Sequence, residues 1–167
     1  MKPFYYSIPV LLLFLLSACT KQLTQKPPSN IVVNTFYTNA TDFSQAVNGV
    51  YNGLSEYPDQ ALWMGELRSD NVTATSDGNR DWQGINDFSP NLTTTAFIVG
   101  AWDNNFNNIY TANTVLEALD TKGQNIGNDS LRTRFKAECR FLRAFYYFTL
   151  LRFYGKLPII DKVYTPA

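Results

Sequence analysis

The chain has 167 residues with 14 basic and 14 acidic side chains, so no net charge announces a nucleic-acid partner. It contains no histidine, which removes the usual general base, histidine-dependent triads and most zinc sites. Two cysteines, Cys19 and Cys139, offer no structural disulfide framework if the first is modified.

The first element is a targeting segment. Lys2 gives a positive start, Phe4 to Leu16 is almost wholly apolar, and Leu16-Ser17-Ala18-Cys19 places small residues before a cysteine. That order defines a secretory signal. The terminal cysteine resembles a bacterial lipobox, which implies cleavage of residues 1–18 and acylation of Cys19. The apolar run carries Pro9 and is shorter than the ~20 residues that span a bilayer. Residues 19–35 include Lys26-Pro27-Pro28-Ser29 and read as a polar tether. Residues 36–167 then form the folded part, and Cys139 reads as a small buried hydrophobe.

In that part, Phe43, Ala46, Val47, Val50, Tyr51 and Leu54 recur at helical spacing, with Asn39 or Thr41 as cap and Pro58 as a stop. Ala61 to Leu67 offers a second helical segment. From Ser69 to Pro90 the sequence SDNVTATSDGNRDWQGINDFSP is dominated by turn formers, so a long irregular loop is expected. A longer helix follows over roughly Ala96 to Leu119, with Trp102, Phe106, Ile109, Asn113, Leu116 and Leu119 on one stripe. The last helix opens near Asp129 or Ser130 and ends at Gly155, with Pro158 blocking continuation. Leu157 to Ile160 reads as a short extended edge segment.

The last helix contains AECRFLRAFYYFTLLRFYG, which Glu138, Arg140, Arg143 and Arg152 exclude as a membrane span. At 100° per residue, Lys136, Arg140, Arg143, Tyr147 and Tyr154 share a polar stripe. Leu131, Phe135, Leu142 and Phe145 lie on one side of it, and Phe141, Ala144, Phe148 and Leu151 on the other. Two apolar flanks demand helical neighbours on two sides, as in stacked helix pairs. Ala137, Phe141 and Ala144 are spaced as in the second helix of a tetratricopeptide unit. The fold class expected is all-α, and the resemblance that follows implies tetratricopeptide-like helix pairs in an α-solenoid scaffold with long irregular loops.

Several pieces in order resemble the SusD/RagB family of outer-membrane nutrient-binding lipoproteins. They are LSAC, KQLTQKPPSN, TDFSQAVNGVYNGL, ELRSDN, WDNNFNNIYTANTVLEAL and AECRFLRAFYYFTLLRFYGKLPII. Only the N-terminal portion of such proteins is matched, so a truncated chain is expected. The resemblance implies capture of glycan or oligosaccharide at the cell surface, beside a TonB-dependent SusC-like transporter. It implies anchoring in the outer membrane by the lipid on Cys19, with no catalysis and no cofactor. Lys21 and Lys26 follow Cys19, whereas surface-exported lipoproteins of this kind often carry acids there.

A sugar site needs an apolar platform and fixed polar groups. Residues 69–90 offer Trp82 as platform, with Arg80, Asp70, Asn71, Asp81 and Asn86 as ligand-binding candidates and Asp77 nearby. Trp82 reads equally as a core plug, and the polar residues as turn formers. Trp63 and Trp102 read as core. An EF-hand register fails, since aligning Gly78 puts Gly84 where glutamate is required, and no metal site is assigned. Two other readings stay open. One is a helical interaction scaffold without glycan binding; the other is a glycosidase using Glu66 and Asp70 on a shared helix face.

Overall fold

The computed structural model describes residues 36–75, 80–89 and 95–164, with Arg80 and Asp81 described in backbone only. The lipobox, Cys19, the tether and Asp77 lie outside these residues. The described residues form five α-helices and no strand. They are α1 (Ala40–Asn52), α2 (Tyr57–Met64), α3 (Arg80–Asn86), α4 (Ala96–Thr121) and α5 (Asp129–Tyr154). No helix among them is long and apolar enough to cross a membrane.

Asn39, not Thr41, caps α1. Its side-chain oxygen accepts from the Thr41 and Asp42 amides at 2.8 and 3.1 Å. The Thr38 amide and hydroxyl in turn donate to the Asp42 carboxylate, each at 2.8 Å, and hold its pKa below the ordinary value. These bonds satisfy amides that a helix start leaves free. The helix buries Phe43, Val47 and Val50, the face its spacing predicts.

Pro58 does not stop this helix but starts the next. A 3-10 turn, Gly53–Glu56, follows α1, and Pro58 lies in the first turn of α2, where its missing N–H costs nothing. Gly53 allows the join to approach α4, because a Cβ there would sit 2.4 Å from the Asn108 carboxamide. The segment expected from Ala61 to Leu67 is divided at Gly65 between α2 and a 3-10 turn, Glu66–Arg68.

The helices α4 and α5 form the central hairpin. Their connection uses a 3-10 turn (Gly123–Ile126), Gly127 at φ +68°, and Asn128, whose side chain accepts from the Leu131 amide at 3.0 Å. Ile109, Ala112, Val115 and Leu119 of α4 and Cys139, Leu142, Tyr146 and Leu150 of α5 are buried together with the α1 face. The α5 helix ends at Gly155, where φ of +81° favours glycine.

Two features depart from the pattern. The segment Leu157–Ile160 pairs with no strand among the described residues. It is bound instead by side chains of the polar stripe and of α4. Tyr147 donates to the Ile160 carbonyl at 3.0 Å and accepts its amide at 2.7 Å, while Asn113 donates to the same carbonyl at 2.9 Å. Second, only one flank of α5 is covered. Phe135 and Leu142 are buried, whereas Phe141, Ala144, Phe148 and Leu151 are exposed.

The core predicts an alkaline limit to stability. Burial pushes the Tyr146 phenol and the Tyr154 phenol up to about 12 each, and the Cys139 thiol likewise to about 12, Glu138 adding to burial for the thiol. Tyr146 donates to the Val50 carbonyl at 2.5 Å and Tyr154 to the Ile98 carbonyl at 2.6 Å. Unfolded cysteine and tyrosine ionise near about 8.5 and about 10. The native state therefore keeps these protons while the unfolded chain loses them. Stability from this source is full below about pH 8.5 and falls as pH rises toward about 12. Urea denaturation from pH 7 to 11 should show that fall, and Tyr146→Phe should flatten part of it.

Candidate functional site

Residues 69–90 are not the continuous irregular loop that their composition predicts. Residues 80–86 form α3, although RDWQGIN has no helical apolar stripe. Tertiary anchoring supplies what propensity lacks. Ile85 is fully buried, and the Asn86 carboxamide donates to the Leu67 carbonyl at 2.9 Å and accepts from the Ala74 amide at 3.2 Å. Asn86 therefore ties the two arms of the segment to each other. Asn86→Ala would leave both backbone groups without these bonds, at a cost of about 1–3 kcal/mol. Urea denaturation should register that loss.

This clamp positions Trp82. The indole is 41 % exposed and lies over two other rings. Its centroid is 6.3 Å from Trp63 of α2, tilted by 37°, and 5.8 Å from Phe97 of α4, edge-on at 62°. Trp63 and Phe97 touch at 4.2 Å. Both are half-buried, so Trp63 is the inner layer of an aromatic cluster rather than a fully buried core residue. Trp102 is also half-buried, 5.1 Å from Tyr154 and 4.7 Å from Phe106. Trp82 is thus neither a buried core plug nor a free surface ring: it closes the cluster while 41 % of it stays exposed. A flat, fixed, half-exposed indole suits the C–H face of a sugar ring.

The polar candidates are distributed around the clamp. Asp70 and Asn71 are exposed in the turn after Glu66–Arg68; Asn71 bonds through its amide to the Ser69 hydroxyl at 3.2 Å. Arg80 and Asp81 occupy the first turn of α3, next to Trp82 in sequence. Asn86 is engaged with backbone on both ends of its carboxamide, which ties α3 to Leu67 and Ala74. The Glu66–Arg68 turn ends at Ser69 in extended conformation, so Glu66 and Asp70 do not share a helix face.

Sequence reading missed Phe88. It has φ of +53°, is 62 % exposed, and lies under the Arg68 guanidinium at 4.8 Å. A bulky residue in that region is strained. Only its position between Asp87 and Ser89-Pro90, a turn composition, hinted at it. A small amide-rich cleft of about 100 Å3, lined by Asn52, Glu56, Asn104, Asn107 and Asn108, was also not anticipated. No group of three or more potential metal ligands occurs among the described residues.

Residues 21–166 match the SusD-like family described as starch-binding and associating with the outer membrane. A SusD-like protein of Formosa agariphila is 26 % identical over 88 % of the chain and 28 % of its own length. A SusD-like protein of Bacteroides ovatus is 28 % identical over 88 % of the chain and 27 % of its own length. A second Formosa agariphila SusD-like protein is 25 % identical over 92 % of the chain and 30 % of its own length. The chain thus spans less than a third of the length of these relatives. No solved structure matches it at a significant level. With the match running through residues 21–166, nearly the whole chain, the chain belongs to the SusD-like family.

Proposed function

We propose that the chain captures oligosaccharide at the outer membrane and works with a TonB-dependent SusC-like transporter in nutrient uptake. In this reading residues 1–18 are a signal, Cys19 carries the lipid, residues 19–35 are the tether, and residues 36–167 are the helical portion, facing outward. The α4–α5 hairpin, with α1 packed across it, acts as a tetratricopeptide-like scaffold. The observation that carries the reading is Trp82, half-exposed on an anchored helix and backed by Trp63 and Phe97. Asp70, Asn71, Arg80 and Asp81 supply the polar fringe for hydroxyl groups. The family's description as starch-binding supports a glucan as the first ligand to try.

Binding without turnover is the expected behaviour. Electrophoresis through gels containing soluble starch should retard the protein. Incubation with a chromogenic glucoside should release no product beyond a Glu66→Gln control. Unretarded migration would overturn the binding reading, and product release abolished by Glu66→Gln would replace it with an enzyme. An interaction scaffold without glycan binding is the second reading, favoured by the exposed outer flank of α5.

A further inference from the structure

The aromatic cluster at Trp82 is continued along α4 by a polar face. Phe97, Gly100, Asn104 and Asn107 follow each other at steps of three, four and three residues, the spacing of neighbours on one helix face. The helix α2 runs beside that face, and its contacts fix the alignment. Trp63 meets Phe97 at 4.2 Å, Gln60 accepts from Asn105 at 2.7 Å, and Glu56 accepts from Asn104 at 2.5 Å. The aromatic cluster therefore lies at one end of the α2–α4 seam and the amide-rich cleft at the other. Phe97 and Asn104 are about 10 Å apart along the helix axis. Between them Gly100 leaves a bare floor, since a Cβ there would meet nothing within 4 Å.

The cleft carries more polar chemistry than the fold uses. Asn104, Asn105, Asn107 and Asn108 crowd the interior of α4 with a residue that is a poor helix former. Two of them hold α2: Asn104 bonds Glu56, and buried Asn105 bonds Gln60 and the Ala101 carbonyl. Asn108 packs on Gly53. Asn107 is exposed and its side chain has no hydrogen-bond partner among the described residues; the same is true of Asn52, which lines the cleft from the end of α1. Carboxamides both donate and accept, as sugar hydroxyls do, so the two match without net charge. A single carboxylate, Glu56, among neutral amides is a poor match for a hard cation, which draws several anionic oxygens. At about 100 Å3 the cleft admits the hydroxyl edge of a ring rather than a whole ligand.

We propose that the amide cleft is a second subsite for the same oligosaccharide, where Asn52 and Asn107 bond the hydroxyls of a ring beyond the one that Trp82 stacks. The inference rests on the glycan reading of Trp82 and adds a chain-length preference to it. A sugar long enough to cross Gly100 engages both ends of the seam. A short one meets only the indole.

The probes are maltotriose and maltoheptaose, titrated calorimetrically into the full chain. The longer sugar should bind at least about 10-fold more tightly. Asn52→Ala with Asn107→Ala should remove most of that preference and leave maltotriose affinity unchanged. Gly100→Gln, which raises a side chain across the path, should do the same. These substitutions replace poor helix formers at positions with room for the change, so melting curves should be preserved. A longer sugar offers more registers to any site, but that advantage is the same in every variant. A length preference that survives both variants, or equal affinities in the unsubstituted chain, overturns the inference and leaves the glycan reading standing. So does a loss of maltotriose affinity in step with maltoheptaose, which assigns the effect to the indole alone. Binding of neither sugar, or binding indifferent to Trp82→Ala, overturns the glycan reading and this inference with it.

Discussion

Phe43→Ala is expected to destabilise the chain by about 3–5 kcal/mol, the range for emptying a buried phenylalanine site. Phe43 is fully buried in α1, and its ring meets Tyr37 at 4.9 Å. Val47 and Val50 continue the same face, and Val50 also accepts the Tyr146 hydroxyl. The cavity therefore opens where α1 rests on the α4–α5 hairpin, and α1 can relax into it only by weakening that bond. A domain of this size has about 5–15 kcal/mol in total, so the variant sits near the edge of folding. Its melting temperature should fall by roughly 10–20 °C. Phe141→Ala is the matched control. The same side chain is removed from an exposed position, and the change should stay within about 0.5 kcal/mol. Urea midpoints at unchanged slope separate the two. Similar losses in both would mean that the outer face of α5 is covered in the free chain.

The second large effect is on binding. Trp82→Ala should weaken glycan affinity at least about 10-fold, or about 1.4 kcal/mol. The substitution removes the platform and leaves Ile85 and Asn86 to hold α3. Ring contacts with Trp63 and Phe97 contribute about 0.5–1.5 kcal/mol each at most. Stability should therefore fall far less than affinity. Trp82→Phe keeps a flat ring and should recover part of the binding. That graded series separates a stacking role from a purely structural one, in which affinity and stability would fall together.

The long helices were legible because their information is local and repetitive. Ile109, Asn113, Leu116 and Leu119 recur at helical spacing and all are buried, and Gly155 ends α5 where the sequence places it. Asn39 was one of two candidate caps, and its backbone in the extended region decided between them. Of the two flanks expected on α5, one is covered only in part, with Phe135 and Leu142 buried and Leu131 and Phe145 half-buried. The other is exposed, and Tyr146, Thr149 and Leu150 complete the buried face. Periodicity reports which faces are apolar, not which of them a given chain buries.

The site was less legible because its order comes from contacts distant in sequence. Nothing in RDWQGIN favours a helix, and α3 exists through Ile85 in the core and an Asn86 bond to Leu67, nineteen residues away. Composition alone cannot show that Asn86 is a clamp while Trp82 is a half-exposed ring. Pro58 misled for a related reason. Its chemistry forbids a helix interior but suits a first turn, and which applies depends on the Gly53–Glu56 turn before it. The strain at Phe88 leaves only a faint mark on the sequence, the turn formers Asp87, Ser89 and Pro90 around it.

Glycan capture at Trp82 is tested most directly by following tryptophan fluorescence while titrating maltoheptaose into the full chain. Saturable change that survives Trp102→Phe but disappears in Trp82→Ala, with melting curves preserved, is the predicted result. A titration indifferent to Trp82→Ala, or no saturable change in the unsubstituted chain, would contradict it.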